Sequence, residues 1–199
     1  MLVGGDAATV VAFNKGDGAD TVYAGTSARN GARNTLSLGG GIRYADLSLA
    51  RQGQDLLVKT GGSDSITLKD WYASPDNRSV EYLQVLTEGG DYAANSRDKL
   101  KNRKVEVFDF GDLVKAFDKA ARKKASVANG WALMNELLDS HLERTNTAAL
   151  GGDLSYQYAT NAGGMASVGL LATQHFASGR ASEMQSLHSR SQLEQGAGS

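Results

Sequence analysis

No cysteine occurs among the 199 residues, which excludes both a disulfide framework and a thiolate metal site. A staple, where one is needed in an oxidising exterior, is left to a hard ion such as calcium bound through oxygen. Proline is reduced to Pro75 alone, against 24 glycines, a balance that favours regular tight turns over a proline-rich linker. No apolar run approaches the length of a membrane span. The first residues also lack the basic-then-apolar order of a cleaved signal peptide, so export would require another signal. Charge of one sign is missing as well: a formal net charge of −1 gives neither nucleic acid nor an anionic membrane an overall attraction. Signatures of catalysis are absent too, with no GxSxG elbow, no HExxH and no cysteine nucleophile. His141, His175 and His188 are far apart in the chain, so they read as surface or helix positions, and no enzyme is expected.

What is present, from residue 1 to about 95, is a series of short β-type runs punctuated by glycine and aspartate. They include Thr9 to Phe13, Thr21 to Tyr23, Asn34 to Leu38, Leu47 to Leu49, Asp55 to Lys59, Ser65 to Leu68 and Ser79 to Val85. Alternation such as Leu36-Ser37-Leu38 buries one face of a strand and leaves the other outside. Strands this short need neighbours, and their spacing suits a stack of coils, a parallel β-roll.

A basic stretch follows over 96–104, where Arg97, Lys99, Lys101, Arg103 and Lys104 are opposed by Asp98 alone. It reads as a solvated linker between domains. Beyond it the apolar period lengthens to about 3.6. Asp112 is placed to cap a helix carrying Leu113, Val114 and Phe117, and a second helix from near Ser126 would align Trp131, Met134, Leu138 and Leu142. The sequence therefore predicts a helical C-terminal module over 105–178, with a further helix at about 165–177. The Ser/Gln/Gly-rich tail of 179–199 is expected to be flexible.

The segment with the most chemistry is Lys15-Gly16-Asp17-Gly18-Ala19-Asp20-Thr21-Val22-Tyr23, which fits the nonapeptide GGxGxDxUx at every position but the first. In that repeat the glycines take backbone angles that let carbonyl oxygens converge. The sixth-position aspartate supplies a carboxylate, and the eighth residue faces the core. Gly16, Asp17, Gly18 and Asp20 are accordingly the candidate calcium ligands, with Val22 as the core residue. A plain Asx-type turn accounts for the same string. Gly4 to Ala12 looks like a second copy that keeps its first two glycines and Val11 but has Thr9 in place of the ligand aspartate.

This string resembles the haemolysin-type (RTX) calcium-binding proteins, together with Leu36 to Ile42, Asp55 to Val58, Asp64 to Tyr72, Phe108 to Phe110, Trp131 to Leu133 and Ala149 to Tyr158. The resemblance implies a secreted or cell-surface protein exported by type I secretion machinery, with calcium (Ca2+) driving its folding outside the cell. It also adds Asp64, and with it Asp70, as calcium ligands, for which a turn or strand-end aspartate is the plainer reading. Only one intact nonapeptide is present rather than an array.

Other features have structural readings beside functional ones. Gly39-Gly40-Gly41 lacks the lysine of a phosphate loop and reads as a turn. Trp71 and Tyr72 can stack on a sugar ring or close the end of a core. Asp109 and Asp112 can pair for acid–base work or begin a helix. The stripe of Met134, Trp131 and Leu138 reads as packing between helices rather than as membrane insertion. The alternative function to calcium-linked folding is a constitutively folded adhesion module that holds a glycan or protein ligand.

Overall fold

The computed structural model describes residues 8–24, 34–146, 149, 150 and 156, and the backbone of residues 2 and 3. Along the chain lie strands β1 (Leu2–Val3), β2 (Val10–Asn14), β3 (Ala19–Ala24), β4 (Asn34–Gly39), β5 (Ser48–Gln52), β6 (Asp55–Gly61), β7 (Asp64–Leu68), β8 (Val80–Leu86) and β9 (Val105–Asp109). Helix α1 (Phe110–Lys123) follows, then β10 (Trp131–Ala132) and β11 (His141–Thr145). One sheet has the order β1-β3-β7-β6-β5-β10 and the other β11-β9-β8-β4-β2.

The first four strands alternate between the sheets, and β1 with β3 and β2 with β4 pair in parallel. That pattern does not continue. β5, β6 and β7 form an antiparallel meander, and β8, β9 and β11 a second antiparallel set. The parallel β-roll followed by a helical C-terminal module, expected from the sequence, is therefore corrected: the chain forms two mixed sheets packed as a sandwich, with one α-helix among the described residues. The physical reason lies in two tight turns. Gly53 (φ +62°) joins β5 to β6, and Gly61 and Gly62 (φ +107° and +59°) join β6 to β7. Two-residue loops of this kind reverse the chain where a coil would carry it onward.

The core between the sheets collects Phe13, Val22, Leu36, Leu38, Leu49, Leu56, Val58, Ile66, Leu83 and Phe108, all at most 3% exposed. Alternation sends their neighbours to the opposite face. On the second sheet that outer face is covered too, where Tyr82, Leu86, Val105 and Val107 pack with Ala149 and Leu150. Residues 96–104 lie between β8 and β9, which run side by side in one sheet. Within this stretch Leu100 is buried in the inter-sheet core, and its carbonyl accepts the Tyr44 hydroxyl at 2.8 Å.

Helix α1 starts where Asp109, not Asp112, accepts a backbone N–H, that of Asp112 at 2.8 Å. Its apolar stripe of Phe110, Leu113, Val114 and Phe117 is buried. The second helix expected from Ser126 does not form: the chain makes a 3-10 turn over Ala125–Asn129 and then β10. Asn129-Gly130 interrupts the helical pattern, and the open edge of β5 takes up the backbone that follows, through Trp131, Ala132 and the Leu133 N–H. Met134 and Leu138 of the expected stripe are exposed, while Leu133 and Leu137, which lie beside it in the sequence, are the residues buried. Residues 157–178, including the helix expected at 165–177, and the tail of 179–199 lie outside the described residues, as do Gly4 to Ala7 of the second repeat copy. No described helix is long and apolar enough to cross a membrane.

Gly40 marks the tightest junction after β4. Its φ is +61°, and a Cβ there would lie 2.8 Å from Asn14 Cβ and 3.2 Å from the Lys15 backbone nitrogen. Gly40→Ala is therefore expected to lower stability by about 1–3 kcal/mol through left-handed strain and the backbone clash. Urea unfolding checks this, and an unchanged midpoint would show that the turn can move aside.

Candidate functional site

The nonapeptide string forms the turn from β2 to β3. Gly16 and Gly18 have φ of +93° and +87°, left-handed angles that explain glycine at both positions. The Asp17 carboxylate accepts the Asn14 N–H at 2.8 Å. Asp64, which opens β7 and lies 48 residues further on, accepts the Gly16 N–H at 2.7 Å. The Gly18 carbonyl accepts the Ser65 N–H at 2.9 Å. Two carboxylates and two strands thus converge on one exposed turn. Asp20 stands at the exposed start of β3, in register with Ile66, while Val22 on the same strand is buried. Asp70 lies elsewhere: it has a φ of +55°, and its N–H donates to Asp55 at 2.8 Å.

Oxygen-only donors of this kind suit a hard cation. Among the described residues, however, no three acidic or histidine side chains are close enough to share a metal ion. A calcium site at this turn would rest on Asp17 and Asp64, completed by backbone carbonyls and water. Asp20 and the Gly18 carbonyl are less well placed, the first by its strand position and the second by its bond to Ser65.

A second constellation was missed in reading the sequence. Glu106, in the middle of β9, is fully buried at 0% exposure, and its Oε2 lies 2.6 Å from His141 Nε2 on β11. Its Oε1 is buried without a hydrogen-bond partner among the described residues. Burial pushes the Glu106 carboxyl above its usual range, against the opposing pull of the His141 bond and of the charges on Arg144 and Arg103. His141, read as a surface or helix residue, instead sits on a strand with its ring edge-on to Phe108. The available signal was a charged residue interrupting the apolar run Val105-Glu106-Val107-Phe108; its partner 35 residues away carried none.

Two clefts flank α1, of about 430 Å³ and 270 Å³. Trp71 is 3% exposed and edge-on to Phe110, so it closes the core and offers no stacking face. Tyr72 borders the larger cleft, with Arg51 lying 4.1 Å above its ring. Its hydroxyl donates to Asp118 at 2.9 Å, and burial together with this bond raises the phenol pKa. Asp109 and Asp112 do not pair with each other for acid–base chemistry: Asp109 caps α1 and Asp112 bonds Lys115 at 2.7 Å. Gly40 and Gly41, both with positive φ, form a turn closed by the Ile42 N–H on the Gly39 carbonyl. His175 and His188 lie outside the described residues.

No family model matches the chain, and no curated protein matches it.

Proposed function

We propose that the chain is a calcium-responsive, non-enzymatic folding module of an exported RTX-type protein, with the β2–β3 turn as its responsive element. The observation that carries this reading is the convergence of Asp17 and Asp64 on N–H groups two residues apart, at Asn14 and Gly16. Asp64 belongs to a strand of the meander, so its bond ties the turn to a distant part of the chain. In the unfolded chain the two aspartates are far apart and bind no cation jointly. Folding brings their negative charges together at the surface, where a divalent cation would offset the repulsion and add its binding free energy to folding. The resemblance of the surrounding strings to RTX proteins supports export by type I machinery and a secreted location.

The test is thermal melting in chelator, calcium and magnesium. Calcium is expected to raise the melting point and magnesium to leave it nearly unchanged, with a gain of about 2.7 kcal/mol at a hundredfold excess over Kd. Asp64→Asn keeps an oxygen for the Gly16 N–H but removes the charge, so it should fold as the parent does in chelator and lose the calcium gain. Asp64→Ala removes both and should melt lower in chelator as well. A parent that melts alike in calcium and chelator, or an Asp64→Asn variant with an undiminished calcium gain, would overturn the proposal.

A further inference from the structure

Residues 96–104 form a folded loop whose charges are arranged independently of the β2–β3 turn. The Ala93 N–H donates to the Lys101 carbonyl at 2.7 Å and the Lys101 N–H to the Asp98 carbonyl at 3.1 Å. Asp98 Oδ1 accepts the Leu100 N–H at 3.0 Å. Leu100 is turned into the core, whereas Arg97 and Lys99 are exposed and Arg103 is half-buried. Exposed Arg144 joins them from β11. Its Nη1 donates to Asn102 Oδ1 at 3.3 Å and reaches the Lys99 carbonyl at 3.5 Å, while Arg103 Nη1 donates to the Asn102 carbonyl at 3.1 Å.

The carboxylates of this region are engaged elsewhere. Glu88 pairs with Lys104 at 2.6 Å and Asp98 with Lys101 at 3.8 Å. Asp91 accepts the Tyr44 N–H, and buried Glu106 is held by His141. Glu143 is in register with Val107, on the opposite face of the sheet from Arg144. Arg97, Lys99, Arg103 and Arg144 have no salt bridge to an acidic side chain among the described residues. Cations gathered without counter-charges repel one another, and an anionic ligand relieves that cost. The formal net charge of the whole chain is −1, so outside this group the chain is net acidic.

The large apolar side chains exposed among the described residues are Tyr23, Met134 and Leu138, and none belongs to this loop. It therefore offers nothing to stack on unpaired bases or to enter a bilayer. A membrane or a nucleic-acid duplex is broad and would set its charge against the acidic remainder as well, whereas a slender, flexible polyanion follows the basic group alone. Sulfate esters stay ionised across the physiological range and place the densest charge on such a chain, and guanidinium donors match the paired oxygens of an oxyanion. We infer that Arg97, Lys99, Arg103 and Arg144 form a docking surface for a sulfated polysaccharide, held through its sulfate groups.

The experiment titrates the full chain, in chelator and at about 50 mM salt, with a heparin hexasaccharide, reading affinity by calorimetry and the site by NMR. The comparators are the desulfated hexasaccharide, vesicles of phosphatidylcholine with phosphatidylglycerol, and a short DNA duplex. Heparin is expected to shift resonances of Arg97, Lys99, Arg103 and Arg144 saturably, to weaken about tenfold or more at about 200 mM salt, and to bind at least about tenfold more tightly than its desulfated form. Arg97→Gln with Lys99→Gln, both exposed, should keep the parent circular dichroism and weaken binding about tenfold or more, and Arg144→Gln about threefold or more. Lys119→Gln with Lys123→Gln removes the same charge from the exposed face of α1 and should leave affinity within about twofold of the parent. The inference is overturned by no heparin binding, by equal binding of the desulfated form, or by vesicles or duplex binding more tightly than heparin. It is equally overturned if the Arg97 and Lys99 pair, or Arg144→Gln, loses no more affinity than the α1 pair.

Discussion

His141→Ala is expected to destabilise the fold by about 3–5 kcal/mol at neutral pH, and to do so far less in acid. The Glu106 carboxylate is completely buried, with His141 as its hydrogen-bond partner at 2.6 Å. Removing the imidazole leaves a charge in the inter-sheet core beside Phe108, with only the more distant Arg144 and Arg103 opposing the effect of burial. The folded pKa of Glu106 already lies above its ordinary 4.5, so the native state binds more protons than the unfolded state. Its contribution to stability is fully present below about pH 4.5 and is lost as pH rises through the folded value. Without His141 the folded value moves higher still, and the loss between acid and neutral pH grows.

Urea unfolding of the parent and the variant at about pH 4 and pH 7 measures the difference. Glu106→Gln should flatten the pH dependence of the parent, and in the His141→Ala background it should recover part of the neutral-pH loss. A His141→Ala deficit equal at both pH values would mean that the ring matters through its packing on Phe108 and not through the carboxylate.

Replacing Gln84 with alanine is expected to cost about 2–4 kcal/mol and to release the segment at Leu150. Gln84 is 0% exposed on the outer face of β8. Its amide nitrogen donates to Ser37 Oγ at 2.7 Å and to the Leu150 carbonyl at 3.1 Å, and its amide oxygen accepts the Leu150 N–H at 2.6 Å. The side chain thus serves Leu150 as a neighbouring strand would, meeting both backbone groups where water is excluded. Truncation leaves them buried and unpaired, at about 1–3 kcal/mol for each group.

A carboxylate in place of the amide can still accept the N–H but cannot, when ionised, donate to the carbonyl. Gln84→Glu should therefore fall between parent and alanine at acidic pH and be worse than either at neutral pH. Amide hydrogen exchange at Leu150 reads the release directly, and unchanged protection in Gln84→Ala would show that the apolar contacts of Ala149 and Leu150 alone hold the segment. Tyr156, whose hydroxyl donates to Glu88, forms a second attachment. Lys104 reinforces it by pairing with the same carboxylate at 2.6 Å, and the Lys104 and Tyr156 bonds hold the Glu88 pKa below its usual range.

The two turns in the β5–β7 region show why the fold was read differently from the sequence. Gly53 and Gly61-Gly62 mark turns whether the chain reverses or coils onward, and the apolar alternation of Leu56 and Val58 has the same period in either case. The distinction is between a hairpin, which pairs a strand with its sequence neighbour, and a coil, which pairs it with a strand some tens of residues away. A similar ambiguity affected the segment after Lys124. Trp131, Met134 and Leu138 have helical spacing, but Gly130 and the unfilled edge of β5 favoured a strand, and the exposed edge has no signature in the segment that comes to fill it.

The sequence by itself determined the quantities that depend on residue type and local geometry. Lack of cysteine ruled out thiolate metal ligands and disulfides; Gly16 and Gly18 allowed the left-handed angles of the β2–β3 turn; and alternation placed Leu36, Leu38 and Val22 inside. The 3.6-residue period marked the buried stripe of α1. Tertiary structure alone decided which distant groups meet: Asp64 with Gly16, Glu106 with His141, Gln84 with Leu150, and Tyr72 with Arg51 and Asp118. The reason is that local sterics and periodic burial act over a few residues, whereas these pairings depend on how two sheets close over one core, a choice made by the free energy of the whole chain.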